Sequence, residues 1–170
     1  MSIPPELLTD RLHLRQWEDA DVDRLARIYT DPGYLEHMPA MDRDATAAQV
    51  ARFREGWSGD GFSHWAAEDR ATGVLIGRIG LLRHRDWPLE AAPVEVGWTL
   101  AAEARGRGLA TEGGRASLDA AFAHLDVARV ISITAPENVR SRRVMEKLGL
   151  SLRGTARWHG LDVVWYALDR

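Results

Sequence analysis

The sequence predicts a mixed α/β domain around one central sheet. Three observations carry that prediction. Short runs alternate apolar and polar residues, longer runs repeat apolar residues every third or fourth position, and the two patterns interleave with no linker or internal repeat. Residues 1–170 therefore read as one domain, long enough to bury a core of its own.

Leu12-His13-Leu14-Arg15 alternates and suits a short first strand. Asp19 and Asp21 stand where acidic side chains favour a helix N-terminus. Val22, Leu25, Ala26 and Tyr29 then recur at helical spacing, and Asp31-Pro32-Gly33 ends the run. A second helix is expected from Asp44 to about Trp57, with Ala47, Val50, Phe53 and Trp57 towards the core. Gly56, Gly59 and Gly61 mark its exit. Ser63 to Asp69 and Val74 to Leu82 flank Arg70-Ala71-Thr72-Gly73 as a hairpin. Val94 to Leu100 forms the next strand, placing Val94, Val96, Trp98 and Leu100 on one face. A long helix should follow, with Ala110, Gly114, Ser117, Leu118, Ala121, Phe122 and Leu125 along one side. Val130 to Thr134 reads as a buried strand, Asn138 to Leu148 as a helix, and Ser151–Trp158 with Leu161–Leu168 as two closing strands around His159-Gly160.

Composition narrows the function. Lys and Arg total 22 against 25 Asp and Glu, a formal charge of −3, so no overall positive field would draw in nucleic acid or an anionic membrane. The chain has no cysteine, which removes disulfides, thiolate metal sites and a cysteine nucleophile together. The six histidines form no ligand-spaced pair, so no metal is expected. Neither a signal-peptide pattern nor a bilayer-length apolar run is visible, and a cytoplasmic location is the default expectation.

The informative segment follows the strand Val94–Leu100. Arg105-Gly106-Arg107-Gly108-Leu109-Ala110-Thr111 sets a glycine-rich turn against the start of a long helix. Free N–H groups and the helix dipole there favour an anion, and Arg105 and Arg107 would add donors at the rim. Read alone, the segment has an alternative as a glycine-rich helix start that binds nothing. Two rival phosphate motifs fit poorly. Gly108 is followed by Leu109-Ala110 instead of Lys-Ser/Thr, and the third small residue of a dinucleotide fingerprint is out of register.

Arg105-Gly106-Arg107-Gly108-Leu109-Ala110 resembles the Q/R-x-x-G-x-G/A signature of the GNAT superfamily of acetyltransferases. Downstream, Pro136-Glu137-Asn138-Val139-Arg140-Ser141, continuing to Glu146-Lys147-Leu148-Gly149-Leu150, is similar to a run typical of that family's Rim branch, the ribosomal-protein N-terminal-alanine acetyltransferases. Leu150 stands where phenylalanine is usual. The opening Thr9-Asp10-Arg11-Leu12-His13-Leu14-Arg15 resembles the same branch's start. The resemblance spans nearly the whole chain, and it implies a mostly antiparallel sheet of about seven strands flanked by about four helices.

The resemblance also implies roles. Gly97, Trp98, Thr99 and Leu100 would lie along the pantetheine arm of acetyl-CoA, with a main-chain N–H near Trp98 facing the thioester oxygen. Arg105, Gly106, Arg107, Gly108, Leu109, Ala110 and Thr111 would hold the pyrophosphate. Asn138 would contact the pantetheine, and Ser141 would donate a hydrogen bond to the departing sulfur; without the resemblance they read as a helix cap and an incidental serine. Arg142 and Arg143 would reach the phosphates or form a solvated helix face.

The acceptor must be a neutral amine, and an α-amino group titrating near about 8 is far more available than a lysine near about 10.4, so a weak base suffices. Glu95 is the candidate base, its alternative being a solvated or ion-paired strand charge. His64-Trp65, Trp57 and Trp87 are candidate cleft residues or packed core. The implied partners are acetyl-CoA and an amine acceptor, a protein N-terminus or a small molecule, and family habit allows a homodimer. A non-catalytic acyl-CoA sensor would keep the loop but need neither Glu95 nor Ser141.

Overall fold

The computed structural model describes residues 2–170. Two short strands, β1 (Leu7–Leu8) and β2 (Leu12–Arg15), precede three helices, α1 (Asp21–Ile28), α2 (Pro32–Leu35) and α3 (Arg43–Gly59). Next come β3 (His64–Asp69), β4 (Val74–Arg83) and β5 (Val94–Leu100), a 3-10 turn at Ala102–Ala104 and the long α4 (Leu109–His124). The chain ends with β6 (Arg129–Thr134), α5 (Val139–Lys147), β7 (Ser151–Trp158) and β8 (Leu161–Asp169).

The expected elements are present, with ends shifted by one or two residues. Two short additions raise the numbers to eight strands and five helices. β1 is only two residues, too short to show a periodicity. α2 begins where a helix was expected to end. Asp31 caps it by accepting the Gly33 N–H at 3.0 Å, and Pro32 occupies its first turn, where a missing N–H costs nothing.

The sheet runs β1-β2-β3-β4-β5-β6-β8-β7, antiparallel throughout except for the parallel contact of β5 with β6. Helices cover both faces. On one, α4 and α5 bring Leu109, Leu118, Met145 and Leu148 onto Ile79, Leu81, Val94 and Val96. On the other, α1 and α3 pack Leu25, Ile28, Val50 and Phe53 with Tyr29, Tyr34 and Ala66. The apolar stripe of α4 also includes Leu109 and Gly113, and a Cβ on Gly113 would come within 2.6 Å of Ile79, so glycine lets this helix settle onto β4.

Candidate active site

β5 and β6 pair at only two positions, Val94↔Val130 and Glu95↔Ile131. Beyond them the strands part, and two side chains close the gap in place of backbone rungs. Glu95 Oε1 accepts the Ile133 N–H at 3.2 Å, and the buried Ser132 hydroxyl donates to the Val96 carbonyl at 2.8 Å. Past this point the diverging strands frame a cavity of about 1070 Å³, with Gly97, Trp98, Thr99 and Leu100 on one wall and Ile133, Thr134 and Ala135 on the other.

One end of the cavity is the glycine-rich loop. Gly108 is the N-cap of α4 at φ 79°, a left-handed conformation that glycine adopts without strain, and no side chain caps the helix. The N–H groups of Leu109, Ala110 and Thr111 have no acceptor among the described residues, and all three residues line the cavity, as do Arg105, Gly106 and Gly108. Free amides at a dipole's positive end, opening into a roomy cleft, fit a pyrophosphate.

The two arginines of the loop do less than expected. Arg105 lines the cavity, but its guanidinium pairs with Asp31 at 2.6 Å and donates to the Leu100 carbonyl at 3.0 Å. Arg107 does not line it; its side chain turns to Asp69 at 3.2 Å. The donors left open here are thus mainly backbone amides. The opening motif holds it in place: the Thr9 hydroxyl, the Arg11 N–H and the Arg11 guanidinium all donate to Glu112 at 2.6–2.8 Å, and Arg11 Nη1 donates to the Arg107 carbonyl at 2.7 Å. Burial alone would raise the Glu112 carboxyl, but these donors outweigh it and hold it below its usual range.

Asn138 and Ser141 line the cavity from α5. Asn138 is the N-cap, accepting the Ser141 N–H at 3.2 Å, so the capping reading holds alongside any contact with a ligand. The Ser141 hydroxyl makes no hydrogen bond among the described residues and is available to one. Arg142 is held by the Tyr166 hydroxyl and the Pro136 carbonyl, whereas Arg143 borders the cavity.

At the other end Glu95 meets His84, Nε2 to Oε2 at 2.6 Å, with both side chains mostly buried. Burial would lower His84, but the bond and charge of Glu95 prevail and raise it above its ordinary value. Glu95 is therefore held by His84 and also borders the cavity. His64 is fully enclosed and kept neutral, its pKa pushed well below 6.5 by burial and by Arg78. Its Nδ1 lies 2.7 Å from Arg78 Nη1, and a guanidinium only donates, so Nδ1 accepts and the proton sits on Nε2. That Nε2–H has no partner and faces the space above Gly97. A Cβ placed on Gly97 would lie 3.3 Å from His64 Nε2 and 3.9 Å from the Glu95 carboxyl carbon. The glycine leaves open a small volume flanked by a donor and an acceptor.

Of the candidate cleft aromatics, Trp65 is core, donating to the Pro5 carbonyl, Trp57 packs on Trp65, and Trp87 is buried against Trp158 and Trp165. Trp98, Trp158, Tyr34 and Arg78 line the cavity instead. Their convergence depends on strand register, which no short motif encodes: Arg78 lies beside Ala66 and Thr99, and Gly80 beside His64 and Gly97. Among the described residues no group of three His, Cys, Asp or Glu is placed to hold a metal ion, and no helix is long and apolar enough to cross a membrane.

The sheet is split between two parallel strands, and one cleft runs along the split from the uncapped start of α4 to Glu95, which His84 holds. The chain belongs to the GNAT acetyltransferase family: the family's acetyltransferase (GNAT) domain model matches residues 11–151. A Bacillus subtilis (strain 168) relative, the uncharacterized protein YkkB, is 32% identical, covering 92% of this chain and 91% of its own. The acetyltransferase from Agrobacterium tumefaciens str. C58 superposes with a TM-score of 0.85 at 28% identity, over 100% of this chain and 96% of its own. RimJ of Mycobacterium smegmatis, solved in complex with CoA-disulfide, shares the fold with a TM-score of 0.73 at 21% identity, over 93% of this chain and 81% of its own. Members of this family acetylate with acetyl-CoA.

Proposed function

We propose that the protein transfers acetyl from acetyl-CoA to a primary amine by direct attack. One observation carries this reading: a single cavity joins the open N-terminus of α4 to the Glu95–His84 pair above Gly97. Acetyl-CoA supplies an electrophilic thioester carbonyl and a thiolate leaving group. The amide groups of Leu109, Ala110 and Thr111 hold the pyrophosphate, and Gly97 to Leu100 line the path of the pantetheine.

The amine enters over Gly97, where no side chain obstructs it. Its nitrogen bonds to the carbonyl carbon as the carbon–sulfur bond breaks, and its proton passes to Glu95. Ser141 donates a hydrogen bond to the sulfur, which takes its proton from water, because a serine hydroxyl is a far weaker acid than a thiol. A main-chain N–H near Trp98 faces the carbonyl oxygen. The Rim-like motifs favour an α-amine, as a protein N-terminus or a small molecule, since such an amine is partly neutral already.

The test is calorimetric titration with acetyl-CoA, followed by thiol release with pooled N-terminal peptides and small amines. Binding with release on one acceptor class is the expected result. Binding without release on any amine would leave a cofactor sensor, and no binding would remove the loop from its role.

A further inference from the structure

Four of the eight Asp, Glu, Lys and Arg side chains lining the cavity have an ionisable partner. Arg105 pairs with Asp31, Arg140 with Glu36, Glu95 with His84 and Asp162 with Arg157. Glu137, Arg143 and Lys147 have no such partner among the described residues, but they stand exposed to solvent. Arg78 differs. It is half-buried in the acceptor part of the cavity and has no carboxylate partner among the described residues.

Its neighbours fix its position without neutralising it. Nε donates to the Tyr29 hydroxyl at 2.8 Å, Nη1 donates to His64 Nδ1 at 2.7 Å, and the guanidinium lies 5.9 Å from the centre of the Phe53 ring. Tyr29 in turn donates to Gln49. Burial raises the Tyr29 hydroxyl and keeps His64 uncharged, so neither supplies a counter-charge. Nη2 makes no hydrogen bond among the described residues. A partly desolvated cation held through Nε and Nη1, with Nη2 left open, is suited to an anion that arrives with a ligand. The unpartnered Nε2–H of His64, on the ring edge away from Arg78 and facing the space above Gly97, adds a second donor to the same cavity.

We propose that the acceptor amine carries an anionic oxygen group, a carboxylate or its like, which Arg78 receives with His64 as an adjoining donor. The proposal rests on the acetyl-transfer reading and narrows its substrate class. Arg78 and the space above Gly97 meet opposite nitrogens of the same His64 imidazole and border one cavity, so a single acceptor can span them. Free amino acids and N-termini bearing an acidic first residue share this chemistry. Polyamines would bring a second positive charge against an unanswered one.

The experiment compares acetylation of L-amino acids with that of their carboxamides, and of peptides beginning with Asp or Glu with those beginning with Asn or Gln. The carboxylate-bearing member of at least one pair should be preferred, and the pair concerned identifies the source of the anion. Arg78→Gln should raise KM for that acceptor about 10- to 100-fold and erase the preference, with Arg78→Lys recovering part of it. Acetyl-CoA affinity, read separately by calorimetry, should stay close to wild type in both variants and so shows that they fold. Equal or better turnover of the neutral members, no turnover of any carboxylate-bearing member, or an undiminished preference in Arg78→Gln would each overturn the proposal. Loss of acetyl-CoA binding in the wild type would instead remove the reading beneath it.

Discussion

The carboxylate of Glu95 accepts the main-chain N–H of Ile133 at 3.2 Å, bridging two strands at the point where they separate. The other oxygen of the same carboxylate is held by His84. One side chain therefore closes the fork and borders the cavity. Glu95→Gln keeps an oxygen for Ile133 but cannot take up a proton. Turnover should fall on the order of a hundredfold or more with acetyl-CoA affinity intact, and the loss should be steepest at low pH, where the amine most needs deprotonating. A pH–rate profile that superimposes on wild type would reject Glu95 as base.

Gly97→Ala tests the open space. The added methyl would meet His64 Nε2 at 3.3 Å and stand beside Glu95, in the volume assigned to the amine. KM for the acceptor should rise about tenfold or more, while the fold, read by its melting temperature, loses about 1 kcal/mol or less. Unchanged acceptor kinetics would place the amine elsewhere.

Ala110→Asp separates helix stability from ligand binding. A carboxylate in the first turn of α4 is favoured by the helix dipole, so the protein should fold normally or gain about 0.5 kcal/mol. The same charge would confront the pyrophosphate, and the Kd for acetyl-CoA should rise at least about tenfold. Wild-type affinity would show that the phosphates bind away from this helix.

Buried His64 and partly buried His84 should act on stability with opposite sign. His64 is held well below 6.5 in the fold, so the unfolded chain binds the proton more readily and stability falls as pH drops through that value. His84 is raised above 6.5, so its pairing with Glu95 contributes fully below that pH and is lost as pH climbs through the folded value. Melting temperatures between about pH 5 and 8 for His64→Gln and His84→Gln should diverge accordingly. Parallel curves would show that neither environment is as described.

Glu112→Gln should loosen the glycine-rich loop, because three donors from Thr9 and Arg11 converge on that carboxylate. The Glu112 pKa is lowered in the fold, so its contribution is present above the ordinary value of 4.5 and disappears as pH falls through the lower one. About 1–3 kcal/mol of stability and part of the acetyl-CoA affinity should go together. Loss of stability alone would separate the anchor from the loop.

The part of the cavity proposed for the cofactor was legible because its signals are local. A glycine turn before α4 and the asparagine–serine spacing at the start of α5 are each read from a few consecutive residues. Thr9 and Arg11 were visible as a motif, but their partner Glu112 lies about a hundred residues away, and nothing in the spacing announces it. Arg78 and Tyr34 escaped for a similar reason. Arg78 sits inside an apolar strand pattern as an ordinary polar position, and only the register of β3, β4 and β5 sets it beside His64. Tyr34 follows Asp31-Pro32, a pair that can stop one helix and start another, and only the second outcome turns the ring into the cavity.

The two-rung contact of β5 with β6 has a mechanical consequence. Strands β1 to β5 and strands β6 to β8 are two plates, and along their shared seam the main chain contributes few bonds of its own. A ligand lodged between them touches both plates and acts as a keystone. Amide protons of β6 and the adjoining end of β8 should therefore exchange markedly more slowly once acetyl-CoA is bound, although much of β8 lies outside the cavity.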